Sequence, residues 1–309
     1  MSMKTAMPLI PPIADASLVS VSDTSRISAF VSLTKPRIAI MVLMTVAVGY
    51  VLGARGSAHP LGLALSLLGT GLVAGGSSVW NQILERDRDA MMKRTSRRAL
   101  PTGQVTLGEA MIFGSLLGIA GLVILFVGAN PLSAAVAFLT FVLYVAVYTP
   151  LKPITTLNTA IGAIPGALPP VIGWAAATGT LGIEAFSLFL IVFLWQFPHF
   201  LAIAWVHRDD YARGGHKMLP NVDPDGIMTA RQAVVHALVL VPAGLLPTVI
   251  GVAGGWYFFG SLLLGLLYLA ASVRFWLDVN DATARRLMRV SFIYLPVILF
   301  LLLMNPMPS

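Results

Sequence analysis

Three side chains with oxygen donors recur at intervals of four residues in one charged segment of this 309-residue chain. The segment reads NQILERDRDAMMKRTSRRALPTGQVT and contains Asn81, Glu85 and Asp89. On a helix these three residues share one face, whereas Asp87 points to the opposite side. Amide and carboxylate oxygens in such a row suit a hard divalent ion such as Mg²⁺, which also binds phosphate oxygens. The spacing therefore predicts a magnesium site on this helix face.

The basic residues that follow this row are placed to bind phosphate. Lys93, Arg94, Arg97 and Arg98 come directly after it and can contact oxygens that a metal leaves free. The alternative interpretation is a helix end closed by a salt-bridged loop. We favour the phosphate site, because an amide and two carboxylates facing one way near hydrocarbon are costly to bury and usually serve a function.

A second polar face follows in the segment FLWQFPHFLAIAWVHRDDYARGGHKMLP. Gln196, His199, His207 and Asp210 occupy about a quarter of the helix circumference, and Asp209 points away. His199 lies deep in the apolar part of the segment. It is either a buried histidine bonded to a neighbouring span or a contact to a substrate, and the sequence leaves both readings open.

Two further residues lie in short polar connections. Lys152 stands alone in the turn TPLKPITTLN, where it is either a lysine that extends to the membrane surface or a contact to a phosphate. His216, in the loop after the second polar face, is predicted to be solvated.

The elements that must position these groups are membrane helices. The chain is 57% hydrophobic and 11% charged, with a mean hydropathy of +0.84, and apolar stretches near the length of a bilayer span recur along it. The sequence therefore predicts an all-α polytopic membrane protein. Its nine predicted spans are 38–54, 61–84, 108–128, 131–149, 158–177, 184–206, 232–251, 254–276 and 289–304.

The charges divide unequally between the two sides of these spans. All but one of the 20 lysines and arginines fall on one side, with Arg55 alone on the other, and Glu184 is the one exception among the 13 carboxylates. The positive-inside rule then predicts a cytoplasmic N-terminus and an external C-terminus. Topology explains the net charge of +7, which removes nucleic acid as a partner, and the absence of cysteine excludes disulfides and thiolate metal sites.

The spacing of the spans also predicts the domain organisation. Residues 1–36 carry no continuous apolar run and are expected to form a disordered cytoplasmic tail, and 37–309 a single transmembrane domain. Each polar face lies near the end of the second helix in a set of four. This layout predicts two related four-helix halves around a cavity that faces the cytoplasm, with a ninth helix added.

Several motifs resemble one family. The pattern N-x-x-x-E-x-x-x-D followed by KRTSRR is similar to the first motif of the intramembrane (UbiA-type) prenyltransferases. Three further stretches resemble the branch of that family that modifies haem. They are LTKPRI, YTPLK with GALPPVIGW, and WQFPHFLAIAW with the following DY, GG and MLP. The resemblance is close over residues 33 to 220.

The resemblance implies a membrane prenyltransferase of the bacterial plasma (inner) membrane, with farnesyl diphosphate and haem b as substrates and haem o as product. It implies a haem a synthase or the assembly of a terminal oxidase as downstream partners. The site residues that follow from it, taken with the spacing above, fall into three groups. They are Asn81, Glu85, Asp89 and Asp210 for Mg²⁺, Arg94, Arg98 and Lys152 for the departing diphosphate, and Gln196, His199 and His207 for haem.

Two other functions fit parts of the pattern. A prenyltransferase that acts on an aromatic acid or a quinone precursor would share the acidic motif but would not need His199. A transporter could use the charged clusters as an ion pathway. Transporters usually place charge near the midplane, whereas these groups crowd one interface, so the pattern favours the prenyltransferases.

Overall fold

The computed structural model describes residues 26–306, and the described residues form helices and short loops with one isolated bridge between Ala253 and Pro306. The helices, in chain order, are α1 (Arg26–Leu33), α2 (Pro36–Gly53), α3 (Pro60–Met91), α4 (Leu107–Gly128), α5 (Pro131–Val142), α6 (Thr149–Leu151), α7 (Asn158–Ala167), α8 (Pro169–Thr178), α9 (Ile183–Val206), α10 (Arg208–Arg213), α11 (Leu219–Val222), α12 (Ile227–Val249), α13 (Gly255–Leu277) and α14 (Asp281–Met304).

Nine spans long and apolar enough to cross a membrane are formed by the described part of the chain. α5 joins α6 through a π-helical turn (Leu143–Tyr148) to make the fourth span, and α7 with α8 makes the fifth. The prediction of an all-α fold with nine spans is confirmed. The second span, α3, continues past the end of its apolar run to Met91, so the charged row predicted from the sequence is helical.

Local sequence signals set where the helices begin. Proline occupies the first position of α2, α3 and α5, where its missing N–H costs no helical hydrogen bond. α4 begins with a capping box in which the Thr106 hydroxyl accepts from the Glu109 N–H and the Glu109 carboxylate accepts from the Thr106 N–H. The start of α4 closes the loop between Met91 and Leu107, which carries the basic residues.

The segment before the first span contains a short helix. α1 buries Ala29 and Leu33 beside Val79 of α3, and the rings of Phe30 and Phe113 pack edge to face at 5.1 Å. The expectation of a disordered tail therefore does not hold for Arg26–Leu33, because its apolar residues find partners on α3 and α4. Residues 1–25 of the predicted tail lie outside the described residues.

The ends of α3 and α9 meet at one end of the molecule. The backbone N–H of Lys93, just after α3, donates to Asp210 Oδ1 at 3.0 Å, and Arg88 donates to the Gly214 carbonyl at 3.1 Å. At the opposite end the Arg55 guanidinium lies 3.3 Å from Glu184 Oε1. The base and the carboxylate that the sequence assigns to the other side of the membrane are therefore neighbours.

Candidate active site

The acidic row of α3 is buried, as its spacing predicts. Asn81 and Asp89 are 1% exposed and Glu85 is 5% exposed, whereas the Asp87 side chain is 87% exposed and pairs with Arg86. The amide of Asn81 and the carboxylates of Glu85 and Asp89 thus share the inward face of the helix end. The carboxylate of Asp87 points to solvent. The helical-face prediction is confirmed.

Asn81 is held from two other elements. Lys35 Nζ donates to Asn81 Oδ1 at 2.9 Å, and Asn81 Nδ2 donates to Thr149 Oγ1 at 3.1 Å. The Thr149 hydroxyl in turn donates to the Tyr144 carbonyl five residues back, across the π-helical turn. The extra residue of a π turn shifts helix register, which here directs Thr149 towards α3.

Lys35 occupies an unusual backbone position. Its φ of 51° is left-handed, which costs energy in a residue with a side chain and is found most often where function requires it. Burial lowers the pKa of Lys35 to about 7. A bound anion would offset that burial, because an opposite charge nearby favours the ammonium form.

Glu85 is paired with Lys152 from the loop after α6. The Lys152 ammonium lies 2.7 Å from Glu85 Oε1 and 4.7 Å from the centre of the Tyr148 ring. Burial alone would lower the pKa of Lys152, but the neighbouring Tyr148 and the Glu85 carboxylate together raise it. Lys152 is therefore a largely buried cation beside the acidic row and not a lysine extended to the surface.

Asp89 is paired with the basic loop that follows its own helix. Arg98 Nη1 lies 2.6 Å from Asp89 Oδ2, and the Thr95 hydroxyl donates to the Asp89 carbonyl at 2.8 Å. The other carboxylate oxygen, Oδ1, is buried and has no hydrogen-bond partner among the described residues. An unpaired buried oxygen of this kind is a position that a ligand can complete.

Asp210 contacts the basic loop. Its carboxylate accepts from the backbone N–H of Lys93 and forms an ion pair with Arg213. Burial would raise the pKa of Asp210, but the hydrogen bonds from Arg213 and from the Lys93 N–H outweigh it and lower the pKa. Across residues 26–306, no three His, Cys, Asp or Glu side chains are grouped closely enough to hold a metal ion.

The residues of α3 nevertheless fit a magnesium ion. Asn81, Glu85 and Asp89 offer hard oxygen donors on one helix face, and Asp89 Oδ1 is buried without a partner in the described part of the chain. The Asp89 and Glu85 carboxylates also have a cation beside them, Arg98 and Lys152 respectively, and a phosphate could attract these cations. The structure thus brings together three of the four predicted ligands and binds the fourth, Asp210, to the neighbouring loop.

Two more predicted residues lie at the rim of this cluster. The Arg94 guanidinium is exposed and lies 5.8 Å from the centre of the Tyr211 ring. His207 ends α9 and is half-buried, and burial together with the nearby Arg94 charge lowers the pKa of His207. His207 is thus nearer to the charged cluster than to the deep part of α9 where His199 lies.

The amide of Gln196 contacts the fifth span. Gln196 Nε2 donates to the carbonyls of Ala163 and Val192, both at 3.1 Å. Gly166 on α7 has no room for a side chain, because the Gln196 Oε1 atom fills that space. The structure therefore uses Gln196 for close packing between α9 and α7.

His199 contacts the last span. Its Nδ1 lies 2.6 Å from Ser291 Oγ, and its ring stacks on Trp195 with centroids 4.9 Å apart. The hydroxyl of Ser291 donates its one hydrogen to the Met288 carbonyl at 2.6 Å, so it can only accept from His199. In the neutral ring Nδ1 therefore carries the hydrogen and Nε2 keeps a free lone pair.

Sequence reasoning missed three groups that the structure brings to these clusters. Lys35 belongs to the motif LTKPRI, and a lysine at the start of an apolar span was the available signal. Thr149 contacts Asn81 from the end of the π-helical turn, and Ser291 is one of several serines on apolar helices. No pattern in the sequence distinguishes the last two.

The helical fold and the buried acidic row define a class of membrane prenyltransferase. Residues 42–296 match the UbiA prenyltransferase family, and the chain belongs to this family. Solved structures share the fold. A digeranylgeranylglyceryl phosphate synthase superposes with a TM-score of 0.77 at 18% identity, over 91% of this chain and 98% of that one. A UbiA homologue from Archaeoglobus fulgidus bound to GPP and Mg²⁺ gives 0.62 at 15% identity, over 90% and 100%.

Curated relatives narrow the comparison within the family. The protoheme IX farnesyltransferase of Solibacter usitatus is 45% identical, and the alignment covers 89% of this chain and 98% of the relative. The protein of the same name from Koribacter versatilis is 42% identical, over 91% and 94%. These similarities extend over nearly the whole of each protein, and they favour prenyl transfer over the transport alternative.

Proposed function

We propose that this protein transfers the farnesyl group of farnesyl diphosphate to a vinyl group of haem b and so forms the hydroxyethylfarnesyl side chain of haem o. The 45% identity to a protoheme IX farnesyltransferase, over nearly the full length of both chains, carries this proposal. The buried ion pairs at the end of α3 support it, because a prenyl diphosphate needs a charged site for its head and an apolar membrane region for its tail.

Mg²⁺ is the cofactor that we assign to the α3 face, with Asn81, Glu85 and Asp89 as the residues that would hold it. Asp89 Oδ1 supports this assignment, because it is buried and nothing within residues 26–306 bonds to it. When bound, the ion neutralises negative charge on the diphosphate and so makes it a better leaving group. Asp210, the fourth ligand expected from the sequence, is assigned instead to holding the basic loop, because it belongs to α10 rather than to the α3 face and its carboxylate accepts from the Lys93 N–H.

The cations of the site would bind the leaving group. Arg98 and Lys152 lie beside Asp89 and Glu85 and are therefore fixed in place before the substrate arrives. As the C1–O bond of farnesyl diphosphate breaks, its electron pair stays on the diphosphate, whose growing charge these two cations stabilise. Lys35 adds a third positive group on the same side, and the exposed Arg94 a fourth at the rim.

The second half of the reaction needs little charge. The π electrons of the haem vinyl group form a bond to C1 of the farnesyl group, which leaves a cation on the vinyl carbon next to the porphyrin. A water molecule adds to that carbon and loses a proton to a second water, which gives the hydroxyl group. The α9 region around His199 suits this step, because it is apolar and the bond of His199 to Ser291 uses Nδ1 rather than Nε2.

Product analysis tests this function directly. Purified protein is incubated with farnesyl diphosphate, haem b and Mg²⁺, and the porphyrin products are analysed by mass spectrometry. We expect the mass of haem b plus one farnesyl group and one hydroxyl group. Prenylation of an aromatic acid or quinone precursor instead of haem would support the alternative acceptor and would contradict the proposal.

The same proposal includes an orientation and a location. We place the protein in the bacterial plasma (inner) membrane with the α3 and α9 ends in the cytoplasm, as the charge distribution predicts, and a haem a synthase or the terminal oxidase assembly downstream. A reporter inserted in the loop after α9 should read as cytoplasmic, and one fused after Ser309 as external. The opposite pattern would invert this topology.

A further inference from the structure

His216 lies in the loop between α10 and α11, and the expectation that it is solvated was wrong. The residue is 4% exposed. Its backbone N–H donates to the Tyr211 carbonyl at 2.9 Å, and its ring packs edge to face on the Tyr211 ring with centroids 6.0 Å apart. The local fold therefore turns the imidazole inward.

The loop that carries His216 is bound on both sides to elements of the charged cluster. On one side the backbone N–H of Lys217 donates to the Lys152 carbonyl at 2.8 Å, and Asn158 Nδ2 donates to the Lys217 carbonyl at 2.8 Å. On the other side Arg88 of α3 donates to the carbonyls of Gly214 and Gly215. These bonds place His216 between the end of α3 and the loop of Lys152.

Gly215 makes the approach of Arg88 possible. Its φ of +65° is left-handed, and a Cβ atom at this position would lie 2.9 Å from Arg88 Nη1. A residue with a side chain would therefore strain the backbone and push the guanidinium away. The loop is shaped for this contact, so the inward position of His216 is built into the fold.

The ring of His216 is incompletely bonded. Its Nδ1 is buried and has no hydrogen-bond partner among the described residues. The charged groups that act on the ring include Glu85 and Lys152, and burial lowers the pKa of His216 to about 4. The imidazole is thus neutral at physiological pH and can donate one hydrogen bond without adding charge.

We propose that His216 is a further substrate-binding residue and that its Nδ1–H donates a hydrogen bond to a phosphate oxygen of the prenyl diphosphate. This inference rests on the proposed prenyl transfer and adds a group from the second half of the molecule to a site formed mainly by the first. Lys152 and Arg98 already pair with carboxylates, so a neutral donor supplies a contact that no carboxylate takes up. A phosphate oxygen is a pure acceptor and matches it.

A matched pair of variants tests the hydrogen bond. His216→Asn and His216→Leu replace the ring by two side chains that are similar to each other in size and branching. Only asparagine offers an N–H close to the position of Nδ1. The measurement is calorimetric binding of inorganic pyrophosphate in the presence of Mg²⁺ to the purified full-length protein. We expect His216→Leu to bind about 10- to 100-fold more weakly than the wild type and His216→Asn to bind within about threefold of it.

Three outcomes would overturn the inference. His216→Leu could bind pyrophosphate like the wild type, both variants could lose affinity equally, or pyrophosphate could leave hydrogen exchange of the 210–220 segment of the wild-type protein unchanged. The exchange measurement needs no variant and therefore decides the question even if His216→Leu does not fold. Failure of the wild type to bind pyrophosphate at all would be a different result, because it would contradict the proposed function itself.

Discussion

The polar clusters of α3 and α9 occupy equivalent places in the chain, yet their polar groups find partners in opposite ways. In α3 the buried groups include two carboxylates, and each pairs with a cation from another segment, Lys152 or Arg98. In α9 the deep groups are neutral. Gln196 bonds to backbone carbonyls, and His199 bonds to a hydroxyl of α14.

The difference between the ion pairs of α3 and the neutral hydrogen bonds of α9 indicates which cluster can exchange its partners for a ligand. Burying an ion pair costs desolvation energy that the pair barely recovers, so such pairs contribute little to stability and are kept for other reasons. A ligand with its own charges can replace one member of each pair. The neutral bonds of α9 instead hold helices in place, and the bond of His199 to Ser291 uses Nδ1 rather than Nε2. The first cluster is therefore suited to a charged leaving group and the second to an apolar acceptor.

The largest effect is expected from Asp89→Ala. This change removes the unpaired oxygen and the partner of Arg98, so turnover should fall by about 10³-fold or more while the protein remains folded. Asp87→Ala is the matched control, because that side chain is exposed and its surface ion pair is worth little. Initial rates of farnesyl transfer by both purified variants provide the measurement. Equal loss in the two would show that the helix face does not matter.

Removal of divalent ions should separate the two clusters. With excess chelator, farnesyl transfer should fall to background, because no ion would then offset the diphosphate charge, and added Mg²⁺ should restore it. The absorption spectrum of bound haem should not change, since the proposed Mg²⁺ site lies on α3 and not on the part of α9 around His199. Full turnover in chelator would mean that Glu85 and Asp89 serve structure alone.

The ion pair of Glu85 and Lys152 should have separable structural and functional roles. Lys152→Met leaves a buried carboxylate without its cation, so we expect the free energy of unfolding to fall by about 3–5 kcal/mol. Adding Glu85→Gln should restore most of the stability, as measured by thermal denaturation, but leave turnover at least about 100-fold below wild type. Recovery of activity in the double variant would assign the pair to packing.

The sequence predicted the first cluster well because it is local. Asn81, Glu85 and Asp89 lie on one continuous helix, and their relative directions follow from its geometry. Lys152 was recognised as a lone base in a short turn. The pairing partners could not be predicted, since Lys35 reaches Asn81 from another span and Asp210 contacts a loop rather than α3.

The second cluster shows why helix angles alone are not enough. Gln196 and His199 were placed on one face, and they do lie close in direction, yet each contacts a different neighbour, α7 or α14. Which helices pack beside a given face depends on tertiary structure, which spacing does not encode. His216 is the opposite case, because its polar loop looked solvated and the folding of that loop onto α3 buries it.

His199→Ala tests whether Nε2 of His199 faces haem. We expect haem affinity to fall by about 100-fold with a changed haem spectrum, and pyrophosphate binding to be unaffected, because the charged cluster is intact. His236→Ala is the control, since this histidine stacks on Phe197 of the same helix and bonds to a backbone carbonyl. If His199→Ala only lowers stability, by about 1–3 kcal/mol, the histidine belongs to the core.

The smallest effect, and the sharpest test of the comparison, is expected from Ser291→Ala. This change removes the acceptor that fixes Nδ1–H of His199, so the ring can rotate or change tautomer and Nε2 is no longer held in one direction. Haem affinity should fall by about tenfold, less than in His199→Ala, as is usual when a residue that orients a ligand is lost.

The bond from Trp195 Nε1 to the Ser291 carbonyl is to the backbone and survives the change, so the packing of α9 on α14 is retained. Titration of haem into the purified variant, followed by absorption, gives the affinity, and Ser291→Thr should recover it because it keeps the hydroxyl. An unchanged haem affinity in Ser291→Ala would mean that the bond between α9 and α14 only joins two helices.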